Sequence, residues 1–143
     1  MKIIFVSHSP NLFGSEKCLY DEINSFLFNG HDCILISPSN GRLVDKLKFK
    51  IKTYIFRYFN DLAISNFKIK SILKFFCNLI SSAIFLCILL KEKPNFVYIN
   101  TRVIFLFLYF SSLFKFKVIV RCHEDLEGHF KTKLFIPNNI IFK

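Results

Sequence analysis

The stretch "KIIFVSHSPNLFGSEKCLYDEINSFLFNGHDCILIS", Lys2 to Ser37, decides the fold. Its first run, Lys2-Ile3-Ile4-Phe5-Val6, is apolar on both faces, which fits a central strand of a parallel sheet better than an alternating edge strand. From Glu16 to Asn29 the residues Leu19, Ile23, Phe26 and Leu27 fall on one helical face, with Asp21, Glu22 and Ser25 on the other. An amphipathic helix is predicted there, with Ser15 as its N-cap and Gly30 as its C-terminal stop. Cys33-Ile34-Leu35-Ile36 then forms a second strand, broken by Pro38-Ser39-Asn40-Gly41. Together these make one βαβ unit.

The same alternation continues outward from that unit. A short helix is predicted over Arg42 to Lys48 and a third strand over Lys52-Thr53-Tyr54-Ile55-Phe56. The longest periodic segment runs from about Asn66 to Lys91. Its apolar stripe of Ile69, Ile72, Leu73, Phe76, Ile80, Ala83, Ile84 and Cys87 is expected to pack on the sheet, with Lys70, Lys74, Asn78 and Ser81 facing water. Pro94 ends the helix before strand four at Phe96-Val97-Tyr98-Ile99. A very apolar helix over Arg102 to Phe114, a fifth strand at Lys117 to Cys122 and a sixth at Asn139-Ile140-Ile141-Phe142 complete the pattern. The fold class is therefore α/β, an open parallel-sheet Rossmann-like domain with ligands expected at the carboxyl ends of the strands. That rule selects Ser7 to Ser15, Asn100-Thr101 and His123-Glu124, which would converge on one rim.

Composition narrows the partners. A chain of 143 residues, 52% hydrophobic, can bury one core and leaves no room for a second full domain. Twenty Lys and Arg against ten Asp and Glu give a formal charge of +10, which draws the surface toward anions. No nucleic-acid motif accompanies that charge, so nucleic acid is not expected as a partner. The 20 Phe follow the drift of an A/T-rich coding sequence and are not read as a base-stacking surface. Five scattered cysteines, mostly within apolar runs, suit buried thiols in a reducing cytoplasm rather than a disulfide framework. The first apolar run gives way to Ser7-His8-Ser9-Pro10 too early for a signal peptide.

Within the first loop, Gly14 lets the backbone approach a ligand closely, and the free N–H groups of a helix start favour phosphate. The loop lacks both the three-glycine dinucleotide pattern and a P-loop ending, so an ordinary βα connection fits equally. His123, Glu124, Asp125, Glu127 and His129 carry ligand chemistry, but the two histidines lie six apart on a strand end rather than four apart on a helix, so no metal is expected. His123 suits a hydrogen-bonding or acid/base role, or a satisfied loop histidine. His8 either faces the ligand or bonds the turn, and His31 reads as a capping or surface residue. Ile72 to Leu90 has the length of a membrane span, yet Lys74, Asn78, Ser81 and Ser82 interrupt it. Lys46, Lys48, Lys50, Lys52, Arg57, Lys68, Lys70 and Lys74, against Asp61 alone, form a strip that could dock on anionic lipid or be a solvated basic face.

Taken together, "MKIIFVSHSPNLFGSEKCLYDEINSFLFNGHDCILISPSNGRLVDKL", "LLKEKPNFVYINT" and "VIVRCHE" resemble the N-terminal half of the GT-B glycosyltransferases of family 4, over about residues 1–125. In that family the first loop usually ends in Gly-Gly-x-Glu, a Gly-His pair closes the helix, and a Lys-Pro-Asp/Asn segment leads into strand four. The matching residues are Phe13-Gly14-Ser15-Glu16, Gly30-His31 and Lys93-Pro94-Asn95. The resemblance implies half of a GT-B architecture and a retaining hexosyl transfer from a nucleotide sugar to a glycan or lipid-linked acceptor. It implies that Gly14 and Ser15 approach the donor's diphosphate, that His123 reaches the reacting sugar or acceptor, and that Asn100 and Glu124 line the same rim. No cofactor is implied. Phe13 departs from the usual first glycine, and the Glu-x7-Glu stretch that grips the nucleotide sugar has no counterpart in the chain. The donor-binding half is thus expected to lie elsewhere, with this domain inactive alone, in the cytoplasm or at the inner face of the membrane. The alternative is a non-catalytic, membrane-associated scaffold that recruits a catalytic half.

Overall fold

A computed structural model describes residues 1–59, 69–100, 107, 110, 111, 114, 116–121 and 140–142. Six strands form one sheet: β1 (Lys2–Val6), β2 (Asp32–Ser37), β3 (Lys52–Ile55), β4 (Phe96–Ile99), β5 (Val118–Val120) and β6 (Ile140–Phe142). Their order is β3-β2-β1-β4-β5-β6, and every neighbouring pair is parallel. This is the doubly wound, Rossmann-like order, which reverses direction between β1 and β4. Three helices are described, α1 (Gly14–Phe28), α2 (Arg42–Leu47) and α3 (Ile69–Glu92). Much of the predicted helix between β4 and β5 lies outside the described residues, although Phe107, Phe110 and Ser111 are helical.

Period-two alternation sends each central strand's side chains into two separate cores. Ile3, Phe5, Cys33, Leu35 and Tyr98 pack with Leu19 and Ile23 of α1 and Leu43, Val44 and Leu47 of α2. Ile4, Val6, Ile34, Ile36, Val97 and Ile99 pack with Phe85, Ile88 and Leu89 of α3 and with Phe107. Burial on both faces is the reason these strands read as continuous apolar runs.

Local chemistry sets the ends of α1. Phe13, in extended conformation, occupies the N-cap position and makes no side-chain cap bond. Ser15, the expected cap, sits inside the first turn, and its hydroxyl donates to Glu16 Oε2 at 2.9 Å. At the other end Gly30 takes φ +75°, its N–H bonds Leu27 O at 2.9 Å, and the His31 N–H bonds Phe26 O at 3.0 Å. The His31 ring rests on Phe26, completing a Schellman closure. The Gly-His pair thus has a sufficient structural explanation. The Lys93-Pro94-Asn95 segment has one too: Lys93 turns the chain at φ +47°, and Asn95 pairs with Lys2 through both its backbone N–H and its side-chain oxygen.

The facing of α3 corrects the expectation from its periodicity. Asn78, Ser81 and Ser82 are buried, whereas Leu73, Phe76, Ile80 and Ile84 are exposed. Asn78 holds residue 59 from both sides: its Oδ1 accepts the Phe59 N–H at 2.8 Å and its amide donates to Phe59 O at 2.9 Å. Ser81 donates to Arg57 O at 2.5 Å, and Ser82 donates back to Asn78 O at 2.7 Å. Polar groups turn inward because the chain leaving β3 presents unpaired backbone that must be satisfied.

At the amino ends of the strands, nearly buried Glu92 accepts from Lys52 at 2.6 Å, Tyr54 at 2.5 Å and Lys2 at 3.3 Å. The Lys52 bond leads, followed by those from Tyr54 and Lys2, and together they hold the Glu92 carboxyl down at about 2. A depressed folded pKa contributes stability at pH values above the ordinary carboxylate range, and that stability is lost as pH falls through about 2. Glu92→Gln is therefore expected to lower the urea midpoint at pH 7 and to narrow the gap to wild type as the pH approaches 2. A difference independent of pH would contradict the ion-pair role.

Candidate functional site

The sheet reverses direction between β1 and β4, so the crevice outside their carboxyl ends is where an open α/β sheet places a ligand. Three segments meet there. The Ser7 N–H bonds Ile36 O at 3.0 Å and the Asn100 N–H bonds Val6 O at 3.1 Å, which extends the sheet hydrogen bonding one residue past the strands. The buried Tyr58 hydroxyl donates to Ser7 O and to Ile36 O. Burial, followed by the Glu16 charge, pushes the Tyr58 phenol up, so it remains a neutral donor.

Glu16 is the centre of this rim. It is 2% exposed and lies in line with Leu19 and Ile23 on the buried face of α1. Its Oε1 lies 2.9 Å from His8 Nδ1, and Oε2 accepts the Ser15 hydroxyl. The Ser7 hydroxyl and the Asn100 amide each reach Oε1 at 3.5 Å. Burial alone would raise its pKa, but the bonds from His8 and Ser15 outweigh burial and hold the carboxyl below its ordinary value. An ionised carboxylate thus ties the β1 loop, the start of α1 and the end of β4 together. It also fixes the imidazole edge, since Nδ1 faces Glu16.

The sequence-predicted residues divide. Gly14 is the first residue of α1, at φ +20°, and the space where a Cβ would stand is open. Ser15 follows it, with its hydroxyl turned to Glu16 and its carbonyl 3.3 Å from the Asn100 amide. Asn100 is fully buried and faces inward onto this pair. His123 and Glu124 lie outside the described residues. Among the described residues no group of His, Cys, Asp and Glu could hold a metal. The reading from sequence named His8, as facing the ligand or bonding the turn, and Glu16, within the family-4 segment, but not their pairing. The available signal was the placement of Glu16, a charged residue on the Leu19 and Ile23 stripe.

The loop is also clamped from the side. The Leu43 N–H bonds Pro10 O at 3.0 Å, and a Cβ on Gly41 would stand 2.5 Å from that oxygen. Gly41→Ala is expected to push the Pro10 segment off the start of α2, at a cost of about 2 kcal/mol, the usual range for overpacking. Urea unfolding followed by circular dichroism measures the cost, and faster amide exchange at Leu43 reports the loosened clamp. An unchanged midpoint would show that the loop yields freely.

The sequence matches no protein-family model and no curated protein. Among solved structures the fold is similar to MurG of Acinetobacter baumannii, a GT-B glycosyltransferase, at a TM-score of 0.64 and 12% identity. The match covers 90% of this chain but 36% of MurG, and at that identity the likeness is one of fold. The domain is thus an α/β, Rossmann-like unit similar to a domain of a GT-B glycosyltransferase.

Proposed function

We propose that this domain supplies the acceptor-side wall of a glycosyl-transfer cleft, with hexosyl transfer from a nucleotide sugar to a glycan or lipid-linked acceptor and the donor grip provided by a half that lies outside this domain. The observation that carries this reading is the rim at the β1/β4 switch point: Gly14, with open space on its Cβ side, stands on a loop braced by Glu16, His8 and Asn100. The GT-B-like fold supports it, as do the Phe13-Gly14-Ser15-Glu16 and Lys93-Pro94-Asn95 segments that resemble family 4.

In this reading the Gly14 and Ser15 N–H groups, which begin α1 without intrahelical acceptors, meet the diphosphate as leaving-group charge develops. Asn100 acts as a positioning residue, because it is buried behind Ser15 rather than open to the rim. The resemblance to family 4 gives His123 a role at the reacting sugar or acceptor and Glu124 one beside it. Glycosyl transfer needs no bound cofactor here.

One observation favours the non-catalytic alternative, a scaffold that recruits a catalytic half: the buried polar groups of the rim are turned toward one another. Calorimetry with a panel of nucleotide sugars addresses the division of labour. The chain alone is expected to show no micromolar affinity for any of them, and such an affinity would place the donor grip within this domain and overturn the proposal.

A further inference from the structure

A pocket of about 530 Å³ opens beside the rim, between the Ser39-Asn40 turn that follows β2 and the Phe56 to Phe59 segment that follows β3. Tyr58 joins the two places: it lines the pocket, while its hydroxyl donates to Ser7 O and Ile36 O in the rim. In the sheet β3 is the second neighbour of β1, roughly 10 Å away at the usual strand spacing. The pocket therefore stands to one side of the Gly14 loop, where a group attached to the reacting one would fall.

Its outer wall has no regular secondary structure, yet it is held at every residue. The Phe56 N–H bonds Ser37 O at 3.3 Å, Ser81 donates to Arg57 O, and Asn78 grips Phe59 through both its N–H and its carbonyl. Burying an amide and a hydroxyl on a helix face is costly unless both are bonded. On α3 those bonds fix the residues that line the pocket, so its shape is set before any ligand arrives.

The side chains offer one cation and an aromatic surface. Arg57 is exposed, its guanidinium carbon lies 4.9 Å from the centre of the Phe59 ring, and among the described residues no carboxylate pairs with it. A guanidinium so placed presents a planar fork to phosphate or carboxylate oxygens. The Phe56 and Tyr58 rings, with centroids 5.6 Å apart, give an apolar surface for the face of a sugar ring, and exposed Ser39 and Asn40 supply polar groups opposite.

We propose that this pocket binds an anionic sugar of the acceptor, with its ring on the aromatic wall and its phosphate or carboxylate on Arg57. The proposal rests on the glycosyl-transfer reading and narrows the acceptor to a glycan or lipid-linked sugar that carries negative charge next to the receiving residue.

Amide NMR spectra of the full chain, titrated with glucose 6-phosphate, glucuronate, glucose and inorganic phosphate, test it at the pocket residues. The signals of Asn40, Arg57 and Phe59 are expected to shift with glucose 6-phosphate or glucuronate, the tighter of the two naming the charged group, and to stay in place with glucose. Arg57→Ala, which keeps the carbonyl that Ser81 bonds, should weaken that binding about tenfold with unchanged circular dichroism. Lys46→Gln removes the same charge from α2 and should leave the affinity as it was. Three results would overturn the proposal: equal shifts with glucose, equal affinity for inorganic phosphate alone, or equal losses in Arg57→Ala and Lys46→Gln. No donor half enters these titrations. A chain that binds neither anionic sugar yet completes transfer with a donor-binding half overturns the pocket assignment alone, whereas anionic sugar bound without any transfer retains the pocket and overturns the transferase reading.

Discussion

Glu16→Ala is expected to destabilise the domain by about 3 kcal/mol, the summed cost of leaving the polar groups packed around a buried carboxylate without their acceptor. The reason is what the substitution leaves behind. His8 Nδ1 and the Ser15 hydroxyl lose their acceptor, and the amide of buried Asn100 loses a neighbour at 3.5 Å. His8 retains partial contact with solvent, which moderates the loss. Glu16→Gln keeps the shape but removes the charge. Its deficit should be full at neutral pH and shrink as pH falls through the depressed carboxyl value, where wild-type Glu16 also takes up a proton. Urea midpoints by circular dichroism across that range measure both variants. Equal stability of Glu16→Ala and wild type would remove the brace from the account of the rim.

Phe85→Ala is expected to cost roughly 4 kcal/mol, within the range for emptying a large buried aromatic site. Phe85 is fully buried, and its ring stacks on Phe107 with centroids 4.4 Å apart and planes 5° from parallel. Among the described side chains it is the largest that α3 contributes to the core beneath β1, β2 and β4, beside Ile88 and Leu89. The exposed stripe gives a contrast on the same helix: Ile84→Ala, at a site 41% exposed, should change stability by less than about 1 kcal/mol. If Ile84→Ala were the costlier change, the assigned facing of α3 would be wrong.

That facing shows where sequence was a poor guide. The strands were legible because a strand covered on both sides must be apolar throughout, and Lys2–Val6, Asp32–Ser37 and Phe96–Ile99 are nearly so. The α3 sequence carries apolar residues around most of its circumference. Counting them favoured the cleaner stripe through Phe76, Ile80 and Ile84, while the buried side mixes Phe85, Ile88 and Leu89 with Asn78, Ser81 and Ser82. What turns those polar residues inward is the backbone at residues 57 and 59, a tertiary partner that no period within α3 encodes.

The rim was legible in part for a similar reason. Gly14 and Asn100 follow from the rule about strand ends, since each lies just beyond a strand that the sequence announces. His8 and Glu16 stand eight apart across a loop, a separation that belongs to neither helix nor strand periodicity. Ser15 reads as a cap from its type, yet Phe13 takes that position because the buried Glu16 draws the Ser15 hydroxyl to itself. Tyr58 likewise reaches Ser7 only through the folding of the chain after β3.

Sugar transfer reconstituted from two halves tests the central claim most directly. The domain would be combined with a donor-binding GT-B half, and labelled sugar followed from nucleotide sugars onto membrane-lipid and polysaccharide acceptors. The account predicts transfer only when both polypeptides are present, and its loss when Gly14→Val closes the open side of the loop. Transfer by the second polypeptide alone at the same rate, or undiminished transfer with Gly14→Val, would contradict it.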